Sequence, residues 1–245
     1  MVPTRVRHLP ARARRVAALA TIFVLLSAAA SGCTLTDAGG PPRGPEASGG
    51  PPASVRPDDA EVARAQLGGL RIAPADRGGY QRTRDFGPAW SADVDRNGCR
   101  QRDDVLRRDL REVELRNRCT VVAGVLADPY TGRTVLFRKA DADAVQVDHV
   151  YPLAAAWAHG ARGWTQEQRV RFANELDNLL ATSAEANLSK GDGTPAEWRP
   201  RPAFRCAYAV RYVHVAARFD LTVSAADRRA LGAMLAACPR PHRAG

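Results

Sequence analysis

Apolar positions along the chain fall into short blocks with two different periods. Val105, Leu106, Leu110 and Val113 recur at helical spacing and predict a helix over 101–113. Residues 119–126 (CTVVAGVL) are rich in β-branched side chains and predict a strand, and 134–137 (TVLF) predict its return. Between them, Asp128-Pro129-Tyr130-Thr131-Gly132 carries turn chemistry, with Pro presetting φ and Gly accepting positive φ, so 119–137 reads as a hairpin. Residues 145–148 form a third short strand. After Pro152 the pattern turns helical, first over 154–159 and then over 165–176, where Thr165 and Gln168 have the spacing of a capping box. Ser183 is placed to cap a short helix over 184–190 that Gly191 ends. Residues 204–219 and 224–238 predict two closing helices, the second opened by Ser224 and Asp227, and 58–67 is weakly helical. There are no internal repeats. The sum is an α+β fold, a small antiparallel sheet followed by helices.

The first sixty residues follow other rules. Five arginines (Arg5, Arg7, Arg12, Arg14, Arg15) precede an apolar run over 16–30, which is shorter than a membrane span of about 20 residues. The run gives way to Ala30-Ser31-Gly32-Cys33. A basic region, an apolar region and small residues are the parts of an export signal. The cysteine after small residues resembles a bacterial lipobox, although Ala30 stands where leucine is typical. Residues 1–33 therefore read as a lipoprotein-type signal with Cys33 as the lipidated residue, and plain secretion is the alternative. Residues 34–60 read as a tether, because 37–57 hold Gly, Pro, Ser and Ala and almost nothing that buries a core. The folded domain is expected over 61–240.

Composition changes this picture little. The net charge of +10 falls to about +5 once the arginines of the signal are removed, a mild attraction for a polyanion that general arginine bias explains as well. Arginines between 107 and 118 alternate with Asp109, Glu112 and Glu114, which is the pattern of a solvated face. An aromatic content of 6% supplies no stacking platform for single strands. The cysteines are more telling. With Cys33 set aside, Cys99, Cys119, Cys206 and Cys238 remain, an even number in an exported chain, and suggest two disulfides. Three connectivities exist. The simplest joins neighbours, 99 with 119 and 206 with 238, each worth about 3 kcal/mol by loop entropy. No Cys-x-x-Cys pair supports a cysteine zinc site.

The candidate chemistry lies between Val147 and Asp192. Asp148 and His149 are adjacent at a strand end and so point to opposite sides. Asp148 and Asn187 offer hard oxygen ligands of the kind Mg²⁺, Ca²⁺ or Mn²⁺ takes. His149 has an imidazole able to accept a proton near neutrality. Lys190 lies one turn after Asn187 on the same helix face, where it would meet a phosphate. Each has a plainer interpretation as a turn, a cap or a helix-end cation. His159 beside Gly160 reads as an exposed helix end, and His214 as a packed or surface side chain.

The order Asp148-His149, then Asn178-Leu179, then Asn187-Leu188-Ser189-Lys190-Gly191, with nine positions between the asparagines and Pro152 after the histidine, resembles the HNH nuclease family. The surrounding residues, Asn97-Gly98-Cys99 to Leu110, Asp128 to Gly132 and Gly191 to Trp198, resemble a branch of small exported actinobacterial HNH proteins. That branch is related to the C-terminal nuclease domain of modification-dependent restriction enzymes. The third position is Asn187 rather than histidine, and the metal-binding cysteine pairs of some relatives are absent. The resemblance implies a ββα-metal core with flanking helices. It implies an endonuclease hydrolysing phosphodiester bonds of nucleic acid, DNA in the first instance, outside the cytoplasm. His149 would be the general base and Asn178 a second catalytic residue that orients it or its loop. Asp148 and Asn187 would hold one divalent cation, Mg²⁺ foremost, with Mn²⁺, Ca²⁺ and Zn²⁺ as alternatives, and Lys190 would contact the substrate phosphate. Arg84, Asp85, Trp90 and Arg102 match the branch either as substrate contacts or as braces. The expected partners are nucleic acid and, through the lipid, a membrane, with the protein a monomer and no protein partner. The alternative is a non-catalytic extracytoplasmic binding lipoprotein on the same scaffold. An antagonistic toxin nuclease is a third, weaker option.

Overall fold

The computed structural model of the chain describes residues 55–88, 90 and 93–240. The expected export signal, Cys33 and the expected tether up to residue 54 lie outside these residues. In chain order the elements are α1 (Pro57–Gly69), α2 (Arg82–Phe86), α3 (Gln101–Asp109), β1 (Leu110–Leu115), β2 (Val121–Ala127), β3 (Thr134–Arg138), β4 (Val145–His149), α4 (Leu153–Ala158), α5 (Gln166–Ala173), β5 (Leu179–Ser183), α6 (Ala184–Lys190), α7 (Arg205–Arg218) and α8 (Ala225–Ala236). Three single turns of 3₁₀ helix join them. The first helix starts at Pro57 with proline in its opening turn, so residues 57–60 belong to the folded domain and not to the expected tether.

The strands form two antiparallel sheets, where one small sheet was expected. One has the order β1-β2-β3, and the other pairs β4 with β5 in register from Val145–Ser183 to His149–Leu179. The two-stranded sheet lies between two cores. Val147, Leu179 and Ala181 pack with Val105, Leu106, Leu110, Val121, Leu126 and Phe137 on the α3 side. Leu180 packs on the other side with Tyr151, Phe172, Tyr208 and Tyr212 among the helices. A strand buried on both faces shows no alternation of apolar and polar residues. For that reason 179–183 was not anticipated as a strand, and the helix expected to 176 stops at Ala173.

The other departure is at 110–115. Here the predicted helix ends at Asp109 and the chain enters β1. A register irregularity between Arg111 and Glu114, with Glu112 at φ 52°, breaks the period-two pattern that would have marked a strand. The hairpin of β2 and β3, the Thr165 capping box and the Ser183 and Ser224 caps form as expected. Cys99 bonds Cys119 and Cys206 bonds Cys238, the neighbouring connectivity.

Candidate active site

The β4–β5 pair and α6 make a ββα unit. Three buried acids lock it to the rest. Asp109 accepts from the Ala181 amide at 2.8 Å. Asp128, in the turn before β3, accepts from the hydroxyls of Thr182 at 2.9 Å and Ser183 at 2.7 Å. Asp148, near the end of β4, takes the Tyr130 hydroxyl on Oδ2 at 2.5 Å and the Lys190 ammonium on Oδ1 at 3.0 Å. Ser183 caps α6, and the Asn187 amide nitrogen donates to Gln146 Oε1 at 2.7 Å, pinning the helix on β4.

This packing opens a cleft of about 650 Å³ whose lining includes Arg82, Trp90, Gln146, Asp148, His149 and Asn187. The imidazole is the best-defined group in it. Its Nε2 lies 2.8 Å from the Ala173 carbonyl, which can only accept, so Nε2 carries the hydrogen and Nδ1 the lone pair. Trp90 stacks on the ring at 5.9 Å between centroids. Burial, opposed by the Ala173 hydrogen bond, pushes its pKa down to about 3, so the ring is neutral through the neutral range. Burial also raises the Asp148 carboxyl, while Lys190 and the Tyr130 hydroxyl pull it back.

Asp148 and Asn187, expected as ligands of one cation, line the same cleft. Their donors are oxygens, with no thiolate and no second imidazole in the lining, so they suit a hard cation better than zinc. A carboxylate has about four acceptor positions, so the two hydrogen bonds on Asp148 leave room for a cation. Among the described residues, no three His, Cys, Asp or Glu side chains gather into a cage. One carboxylate, one amide, water and substrate phosphate would have to make up the shell.

One expected role is corrected. The Lys190 side chain is 0% exposed, and its ammonium is spent on Asp148 and on the His149 carbonyl at 2.9 Å, so it presents no charge to a phosphate in the cleft. Asn178 is fully buried outside the cleft. It clamps the backbone of Tyr151, accepting from its N–H at 2.7 Å and donating to its carbonyl at 3.1 Å. It holds the turn after His149, which is the orienting role expected of it, and acts from outside the cleft. His159 is buried rather than exposed, with Nδ1 3.0 Å from the Thr222 hydroxyl. His214 stays at the surface, 3.9 Å from Asp177. Of the four upstream residues, Arg84 and Asp85 pair with each other, and Arg102 reaches the carbonyls of Ala142 and of Val145, the first residue of β4. All three are braces, and Trp90 alone lines the cleft. The side chain missed from sequence is Arg82, exposed at the cleft rim with its guanidinium 5.5 Å from the Trp90 ring centre. As one arginine among many, it gave no signal.

A strand ending in Asp-His, an antiparallel partner and a short helix carrying Asn define an α+β domain of the HNH nuclease type. More narrowly, residues 100–234 match the family described as GmrSD restriction endonucleases, C-terminal domain, and the chain belongs to that family. It is also 37% identical over 184 residues to an uncharacterized secreted protein of Arthroderma benhamiae, covering 73% of this chain and 86% of that one. No solved structure matches the chain.

Proposed function

We propose that the protein is an exported, metal-dependent endonuclease hydrolysing phosphodiester bonds of nucleic acid, with DNA as the first substrate to test. One observation carries this reading. A neutral imidazole, locked with Nδ1 as its free acceptor, shares a cleft with an oxygen pair from a strand and a helix. His149 takes the proton of the attacking water on Nδ1, and the Ala173 carbonyl stabilises the imidazolium through Nε2. Asp148 and Asn187 would hold the cation, which when bound supplies Lewis-acid stabilisation of the developing phosphate and leaving-group charge. Tyr130 and Lys190 fix the carboxylate, Asn178 fixes the turn after the base, and Trp90 fixes the ring face. Arg82 takes over the phosphate contact first assigned to Lys190, because it is the arginine at the rim.

Export is supported by the Arg-rich and apolar segments ahead of Cys33, by the disulfides, and by the relative described as secreted. In the lipoprotein form Cys33 would tie the domain to a membrane.

A plasmid-nicking assay with Mg²⁺ or Mn²⁺ on the oxidised protein tests the reading. Wild type nicks, EDTA stops it, and His149→Ala lowers the rate by about 10²–10⁴-fold or more. The competing reading, a binding lipoprotein on the same scaffold, draws on the Asp148–Lys190 pair, in which the carboxylate beside His149 is already balanced. Folded wild-type protein that nicks neither DNA nor RNA with either metal would decide for it.

A further inference from the structure

Residues 93–104, the loop before α3 and the first turn of that helix, line no part of the catalytic cleft. They read Asp93-Val94-Asp95-Arg96-Asn97-Gly98-Cys99-Arg100-Gln101-Arg102-Asp103-Asp104. Oxygen-bearing side chains stand at positions one, three, five, nine and twelve, with glycine at six. A twelve-residue loop wraps a calcium ion with this spacing, the seventh residue giving its carbonyl and a helix following. The fold has the same frame. Gly98 makes the sharp turn at φ 84°, and the first carboxylate, Asp93, accepts from the amides of Asn97 at 3.0 Å and Gly98 at 2.8 Å. The helix α3 begins at the ninth position, Gln101, which puts Asp104 in its first turn.

Frame alone does not make a site, but two side chains point independently to a ligand. Gln101 is 1% exposed, its Oε1 has no hydrogen-bond partner, and it lines a cleft of about 560 Å³ together with Asp93 and Asp95. The Oδ2 atom of Asp104 is likewise buried and partnerless. A buried acceptor without a partner costs about 1–3 kcal/mol, so two together at one loop need a reason. The charges agree. Asp93, Asp95 and Asp104 join no ion pair among the described residues, whereas Asp103 pairs with Arg100. The amide NH₂ of Asn97 stands between two of them, 3.0 Å from Asp95 Oδ2 and 3.1 Å from Asp104 Oδ1. The acids are not already gathered into a cage. A cation would draw them in, with the Asn97 amide turning its oxygen inward.

We propose that residues 93–104 form a calcium site separate from the catalytic cleft, with Asp93, Asp95, Asn97, Gln101, Asp104 and the Cys99 carbonyl as its oxygens. Three carboxylates among six oxygen donors suit Ca²⁺ rather than Mg²⁺, which keeps several waters and takes only one or two carboxylates. The disulfide to Cys119 anchors the loop on one side. On the other, the Arg102 amide in α3 donates to the carbonyl of Trp90, whose ring stacks on His149. The ion therefore steadies the wall of the cleft without entering it.

Terbium luminescence excited through tryptophan, competed with Ca²⁺ on the full chain, tests the site. Wild type should bind Ca²⁺ with Kd about 10⁻⁴–10⁻³ M, the range of extracellular modules. The isosteric variants Asp95→Asn and Asp104→Asn should each bind at least about tenfold more weakly, as loss of a charged ligand implies. The cleft variant Asp148→Asn/Asn187→Ala should bind as wild type does. Absence of a Ca²⁺-displaceable signal in wild type overturns the proposal, as does a signal kept in both loop variants and lost in the cleft variant. If circular dichroism shows a loop variant unfolded, calorimetric titration of wild type against the cleft variant decides. Heat retained in the cleft variant supports the loop site, and heat lost refutes it. Neither result depends on nuclease activity.

Discussion

The molecule holds two groups of acids that face opposite electrostatic problems. On the floor of the catalytic cleft, Asp148 is buried with both oxygens matched, by Lys190 and by Tyr130. In the loop over 93–104, three carboxylates have no cationic partner among the described residues, and one of their oxygens is buried without a hydrogen bond. Burying an ion is expensive unless it is paired, and the chain meets that cost in two ways. The cleft carries its own counter-ion on α6, so the ββα unit can fold before any cation arrives. The loop offers none to Asp93, Asp95 or Asp104, its one ion pair joining Arg100 to Asp103, so its order should follow the ion supply outside the cell. Removing an internal partner should therefore damage the first centre, and removing an external ion the second.

The largest effect should come from breaking the internal pair. Lys190→Met keeps the length of the side chain and leaves Asp148 buried with the Tyr130 hydroxyl but without its cation. Loss of one partner of a buried pair costs about 3–5 kcal/mol. Urea denaturation should show that loss. The double variant Lys190→Met/Asp148→Asn should recover much of it, because no charge is then stranded. Should the single variant be as stable as wild type, the pair is not what holds α6 to β4.

A smaller loss should follow from Asn178→Ala. The change exposes no charge but strands the Tyr151 N–H and carbonyl in the interior, at about 1–3 kcal/mol for each unpaired group. As a positioning residue, Asn178 should also act on turnover: kcat should fall while KM holds, because the cleft lining is untouched. A fall in stability with kcat unchanged would reduce the residue to a scaffold role. The comparison sharpens here, since neither change should alter Ca²⁺ binding at residues 93–104.

Much of this was legible beforehand, for physical reasons that differ by element. Caps are local contacts, so Thr165, Ser183 and Ser224 announced their helices. The hairpin of β2 and β3 was carried by its turn, and the disulfides by cysteine number and spacing. The resemblance to HNH nucleases put Asp148, His149 and Asn187 at one centre, and the three line one cleft. What stayed hidden depends on distant parts of the chain. The strand β5 has no period because both its faces are covered, and β1 lost its period to a bulge. The counter-ion role of Lys190 needs α6 to lie across β4, and the imidazole is fixed by Ala173 on α5, 24 residues away. The loop over 93–104 is the opposite case. Its spacing was fully present in the sequence, and only the partnerless oxygens of Gln101 and Asp104 give it weight.

The smallest effect, and the one that divides the two centres most cleanly, is the dependence of stability on calcium. An ion that binds only the folded chain stabilises it by RT ln(1 + [L]/Kd), which is about 1.4 kcal/mol at ten times Kd. Thermal unfolding of wild type should shift upward by that amount when Ca²⁺ is raised from trace levels to ten times Kd. The increment should vanish in Asp104→Asn, which has lost a loop ligand. It should persist in Asp148→Asn, where the loop is intact even though the pair with Lys190 is gone. The reverse pattern would mean that the stabilising ion sits in the cleft, and the contrast between a self-compensated centre and an ion-dependent one would fail. A rise that is equal in all three proteins would point to a site in neither place.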